Sequence, residues 1–166
     1  HIEDYVAQAQ AFQTQLTSLI VEGVFARHPK LKMVMLESGF TWLPPFLWRL
    51  HKFWRGVRME TPWVDRPPLE IVRSNIRFSL QPVDAPPEPE TLNRLFDHMQ
   101  SDELLLFSSD YPHWQFDGDE VLPPGLSPDL VRKIIIDNPH ATYPRLKVAH
   151  DTEKRPPVFG QDHAQN

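Results

Sequence analysis

The sequence contains no cysteine. That removes disulfides and thiolate metal sites, and leaves histidine, aspartate and glutamate to hold any metal ion. No apolar run approaches the roughly 18 residues that a membrane-spanning helix needs, and no signal-peptide pattern opens the chain. There is no basic stretch either. The 17 lysines and arginines are outnumbered by 22 acidic residues and scattered, for a net charge of −5. Nothing in that pattern argues for nucleic acid or an anionic membrane as partner. A glycine-rich phosphate loop is also missing, which ranks a phosphoryl-transfer enzyme last. These absences fit a cytoplasmic enzyme acting on a small molecule.

What is present is 166 residues, 40% hydrophobic and 23% charged, enough for one sizeable core. Eighteen prolines and five tryptophans are unusual. The prolines fall in WLPP, TPW, RPP, QPVDAPPEPE, DYPH and LPPG, between periodic segments, so they mark rigid connections.

The most informative stretch is LLLFSSDYPHW, Leu104 to Trp114. A short apolar run without alternation, stopped by two serines and an aspartate, fits a strand of a parallel sheet buried on both faces. Asp110 then stands just past the strand's carboxyl end, the edge where loops converge and ligands bind in parallel α/β folds.

Around it the chain alternates. Apolar residues recur at helical spacing from Ile2 to about Phe25, ending before His28-Pro29. Lys32 to Leu36 is a short strand closed by Glu37-Ser38-Gly39, and a helix follows from about Pro45 to Val57. A helical piece, Leu69 to Ser74, leads to the strand Ile76 to Leu80, with Gln81 and Asp84 beyond its end. The helix Pro89 to Met99 returns the chain to the Leu104 strand. SPDLVRKIIIDN is a last helix with Ser127 as N-cap, and NPHATYPRL a short closing turn. Residues 1–146 form the domain, and 147–166 a polar tail with the composition of disorder.

Helix followed by three strand-helix units implies a parallel sheet covered by helices. Three strands are too few for a closed (β/α)8 barrel, which takes roughly 250 residues. With no strand ahead of the first helix, the expectation is the C-terminal portion of a TIM-type barrel, about three βα units plus a preceding helix.

LKMVMLESGFTWLP, LLLFSSDYPHW and DNPHATYPRL resemble the last three strand-helix units of one family. It is the amidohydrolase-related family that includes aminocarboxymuconate semialdehyde decarboxylase and resorcylate decarboxylases. The resemblance covers roughly Ile2 to Leu146, and its most specific element is SSDYP at the strand end. It implies a (β/α)8 barrel with a divalent metal, most often zinc, held by a His-x-His pair, a further histidine and an aspartate. Asp110 matches the aspartate, as metal ligand and orienter of a metal-bound water. The histidines have no match in this chain, so the remaining ligands would lie outside it. Where the decarboxylases commonly carry a substrate-facing histidine, this sequence has Glu37. A carboxylate cannot present an imidazole to a substrate carboxylate, which weighs against decarboxylation in particular.

Other readings stand beside these. Asp110 could instead cap the following turn. Glu37 could be an acid-base group, or pair with an arginine, since a buried carboxylate needs a partner. His113 is a candidate substrate contact or a solvent-facing loop residue. Phe40, Trp42, Trp63 and Trp114 could wall a pocket for an aromatic or unsaturated acid, or fill the core. The reaction class is metal-assisted hydrolysis or decarboxylation of a small carbonyl or carboxylic substrate, with this chain alone nearly inactive. The competing class is a non-catalytic interaction module whose unpaired strand edges invite a homo-oligomer or the missing N-terminal half.

Overall fold

The computed structural model describes residues 1–113 and 121–146; Trp114 and the tail 147–166 lie outside them. Among the described residues, three strands form one parallel sheet in the order β1 (Met33–Met35), β2 (Ile76–Ser79), β3 (Leu105–Leu106). The register pairs Met35 with Phe78, and Phe78 in turn with Leu105. These residues belong to one continuous core with Leu43, Leu47, Leu92, Met99 and Ile134. Burial on that scale suits the apolar runs of β1 and β3, while β2 also buries Arg77 and Ser79.

The crossovers are helices. Between β1 and β2 run α3 (Leu43–Val57) and α4 (Pro68–Asn75), and between β2 and β3 runs α5 (Pro89–Met99). All three carry proline in their first turn, where its missing N–H costs nothing. At the amino end of the sheet, Arg77 donates to the carbonyls of Arg73 and Ile76 and lies 3.6 Å from Glu103. Burial lowers its pKa from the ordinary guanidinium value, and Glu103 opposes the shift. Burial, and then the charge of Arg77, lowers that of Lys32 as well.

Two segments differ from the sequence-based expectation. The single helix expected over Ile2 to Phe25 is two, α1 (Ile2–Val21) and α2 (Val24–Arg27), broken at Gly23 with φ 69°. The Trp63 ring sits against Gly23 where a side chain would be, and its Nε1 donates to the Val21 carbonyl at 2.6 Å. Trp63 therefore pins a helix corner rather than walling a pocket. The helical stripe is buried only in its second half, at Leu16 and Ile20, while Ile2, Tyr5 and Val6 stay exposed.

The second difference is at the end. NPHATYPRL is not a separate turn: α6 (Pro128–Arg132) continues through a π-helical turn, Lys133–Asp137, into α7 (Asn138–Thr142). Pro139 has no N–H to bond back along the helix, and the wider turn accommodates it. Ser127 caps α6 as expected, accepting from the Leu130 N–H at 3.2 Å.

The widened turn bears on the sheet edge. The Phe107 N–H donates to the Ile134 carbonyl at 3.0 Å, and Asn138 Nδ2 donates to Leu105 O at 3.0 Å and Asp102 O at 2.9 Å. At the outer edge of β3, Leu105 O and Phe107 N are thus bonded to the chain's own last helix, although unpaired strand edges were expected in the interaction-module reading. Among the described strands, β1 pairs only with β2.

Candidate functional site

The carboxyl ends of the three strands are laced together by two serines. Ser79 Oγ accepts from the Glu37 N–H at 2.8 Å and donates to the Gln81 carbonyl at 2.9 Å. Ser108 Oγ accepts from the Gln81 N–H at 3.0 Å. These hydroxyls extend the pairing beyond the last backbone ladder bonds and fix Glu37, Gln81 and the SSD segment side by side.

Glu37 and Asp110, at the ends of β1 and β3, both adopt left-handed backbone, with φ 58° and 59°. That conformation costs a non-glycine residue about 1 to 2 kcal/mol, and such strain concentrates at functional sites. His113 Nδ1 lies 2.8 Å from Asp110 Oδ2, and the Asp110 carbonyl accepts from the His113 N–H at 2.7 Å. The Asp110 side chain remains 28% exposed. The Glu37 side chain is exposed and makes no ion pair among the described residues. The alternative reading, an arginine partner for a buried Glu37, is not met among the described residues, where the side chain is exposed rather than buried.

Asp84, beyond the end of β2, reaches across to the loop after β1. Its Oδ1 accepts from the Phe40 N–H at 3.2 Å, and its Oδ2 from the Thr41 hydroxyl at 2.8 Å and N–H at 3.4 Å. The approach depends on Gly39, whose φ is 64° and whose added Cβ would lie 2.5 Å from Asp84 Oδ2.

Glu37, Asp110 and His113 line one cavity of about 960 Å³, together with Ser38, Gly39, Gln81, Pro82, Val83 and Asp84. Its opposite wall is the first half of α1, His1 to Ala9, including the exposed Ile2, Tyr5 and Val6. Three carboxylates and two histidines face this space, and among the described lining residues there is no lysine or arginine. The sequence marked this stripe as the apolar face of an amphipathic helix, without a signal that its first half would wall a cavity.

The aromatic candidates fall elsewhere. Phe40 is fully buried and stacks on Phe96 with ring centroids 6.2 Å apart. Trp42 packs edge-on against Phe46 and Phe78, and its Nε1 donates to the Ser38 carbonyl at 2.9 Å. Neither lines the cavity, so their assignment to substrate binding is corrected: they fill the core beneath it. Trp114 lies outside the described residues.

A family model described as amidohydrolase matches residues 5–145. The chain belongs to the amidohydrolase family. A crystallised amidohydrolase from Mycobacterium avium subsp. paratuberculosis K-10 is similar to it, with a TM-score of 0.62 and 29% sequence identity. The match covers 81% of this chain and 34% of that one, so the chain spans about a third of that relative's length. No curated protein is significantly similar.

Members of the amidohydrolase superfamily typically bind divalent metals, and the donors present fit part of such a centre. Asp110 Oδ1 has no hydrogen bond among the described residues, while Oδ2 is held by His113, the kind of outer partner that orients a ligating carboxylate. A whole centre is not supplied: among the described residues no three His, Asp or Glu side chains converge on one point. Catalytic zinc takes three protein ligands and a water, so no chemical step through an ion follows from this chain's residues alone.

Proposed function

We propose that this chain is the C-terminal part of a (β/α)8 amidohydrolase barrel, and that the cavity is its substrate site. The enzyme would be a metal-dependent hydrolase of a small carbonyl compound, related to the aminocarboxymuconate semialdehyde decarboxylase group. The observation that carries this is the convergence of Glu37, Gln81 and Asp110, from three successive strand ends, on one cavity. Asp110 would supply one ligand to a zinc ion, whose other ligands come from residues outside this chain. In a closed barrel the outer edges of both β1 and β3 pair with further strands, so the bonds that the last helix makes to Leu105 and Phe107 would give way there.

Glu37, on the cavity and without a charged partner among the described residues, suits a proton acceptor. His113 suits a contact to substrate through its ring. Hydrolysis is favoured over decarboxylation because the described lining offers carboxylates and, among those residues, no lysine or arginine to receive a substrate carboxylate.

The test uses the protein at its natural length, loaded with zinc, on a panel of esters, lactones, amides and aromatic acids, with hydrolysis and carbon dioxide release measured separately. Hydrolysis of at least one neutral carbonyl compound is expected. Glu37→Gln should reduce it roughly 100-fold or more, the scale of a lost general base. Decarboxylation of the acids with the carbonyl compounds untouched, or a fully active Glu37→Gln, refutes the reading.

A further inference from the structure

We propose that the first half of α1 is the apolar wall of this cavity, the surface on which the hydrocarbon part of the substrate lies; the proposal rests on the reading of the cavity as a substrate site. Ile2, Tyr5, Val6 and Ala9 recur at three- and four-residue steps, and the same stripe runs on to Leu16 and Ile20. Leu16 and Ile20 are buried in the core. Ile2, Tyr5 and Val6 are 78%, 44% and 70% exposed, belong neither to the core nor to the side chains packed on it, and line the cavity. The core of this chain therefore does not account for apolar residues here; the cavity they border does.

The two walls differ in kind. Glu37, Asp84, Asp110 and His113 stand on the strand-end side, while α1 presents the apolar side chains with Gln8 beside them. A ligand that touches both walls is divided in the same way, its carbonyl group at the strand ends and a hydrocarbon chain or ring on α1. Burial of apolar surface is favourable in proportion to area and has no direction, so this wall selects by size rather than by pattern. A volume of about 960 Å³ leaves room for several carbons beyond the reacting group. Esters, amides and lactones that carry such a chain or ring are the matching class, ahead of their acetyl-sized analogues.

Protein from outside this chain, packed on the same face, is the competing cover, and polar substitution distinguishes the two. In the protein at its natural length, loaded with zinc, kcat/KM for p-nitrophenyl esters should rise from acetate to butyrate to hexanoate, about threefold to fourfold for each methylene buried on α1. Val6→Asn should lower the hexanoate-to-acetate ratio about threefold or more, and Ile2→Asn, one turn away, should act in the same direction. Both variants should melt at the wild-type temperature, because a face covered only by substrate contributes nothing to the unliganded fold. A flat ester series, or a lowered melting temperature with the ratio unchanged, overturns the proposal.

Hydrolysis with a flat series removes the wall and leaves the proposed function standing. Absence of any hydrolysis removes the proposed function instead, and hexanamide titrated into ¹⁵N-labelled chain of 166 residues then decides the role of the wall. Saturable shifts at Tyr5 and Val6 together with Gly39 uphold it, and a titration that leaves α1 unmoved overturns it.

Discussion

Replacing Gly39 with valine is expected to destabilise the chain by about 3 to 4 kcal/mol. Two effects add. A β-branched residue at φ 64° incurs the left-handed penalty, about 1 to 2 kcal/mol. Its Cβ would also displace Asp84 Oδ2, which lies 2.5 Å from that position and bonds to Thr41. Losing the hydrogen bonds from Asp84 to the loop after β1 accounts for the rest, at about 1 kcal/mol each. Gly56 is the control: it lies inside α3 with nothing within 4 Å of an added Cβ. Gly56→Ala should stabilise by about 0.5 to 1 kcal/mol. Urea denaturation midpoints of the two variants check both signs, and a Gly39→Val variant as stable as wild type would mean that Asp84 does not hold the two strand ends together.

Asp110→Asn is expected to reduce zinc affinity roughly 100-fold or more in the protein at its natural length, beyond the roughly 10- to 100-fold cost of losing an outer partner. Asparagine tolerates the left-handed backbone that Asp110 adopts, so the local conformation survives and only the charge and ligating strength change. His113→Phe removes the imidazole that lies 2.8 Å from Oδ2 and should cost about 10-fold. Calorimetric zinc titrations of the three proteins give the order wild type, His113→Phe, Asp110→Asn. Equal affinity in wild type and Asp110→Asn would return Asp110 to the role of a turn cap.

Much of the frame was legible because it rests on local rules. The helix Pro89 to Met99 was bounded by proline at its start and an unbroken apolar periodicity, and its observed limits coincide with the expected ones. Ser127 caps its helix through the side-chain oxygen that its residue type predicts. The parallel sheet followed from short apolar runs separated by helical crossovers. What was not legible depends on long-range partners. The break at Gly23 is set by Trp63, some forty residues away and joined to it only in space. The continuation of the last helix through Pro139 depends on a π turn, for which the sequence carries no pattern.

The site divides in the same way. That Asp110 would stand at a strand end was implied by the polar stop after Leu104 to Phe107, and the structure places it on the cavity with Glu37 and His113. Phe40 and Trp42 were ambiguous in the sequence because large rings serve cores and pockets equally well. Only packing partners, Phe96 for Phe40 and Phe78 for Trp42, decide between them. Ser79 carried no signal, and Ser108 only marked the end of its strand. A serine near a strand end is ordinary until its hydroxyl is seen to bridge neighbouring strands.

Manganese(II) titrated into ¹⁵N-labelled chain gives the most direct test that the three strand ends form one metal-accepting rim, since paramagnetic broadening marks nearby amides even when the ion binds weakly. Resonances of Glu37 to Gly39, Gln81 to Asp84 and Asp110 to His113 should fade together, while those of α3 and α6 persist. Broadening confined to one of the three segments, or centred on another acidic surface, would contradict the account.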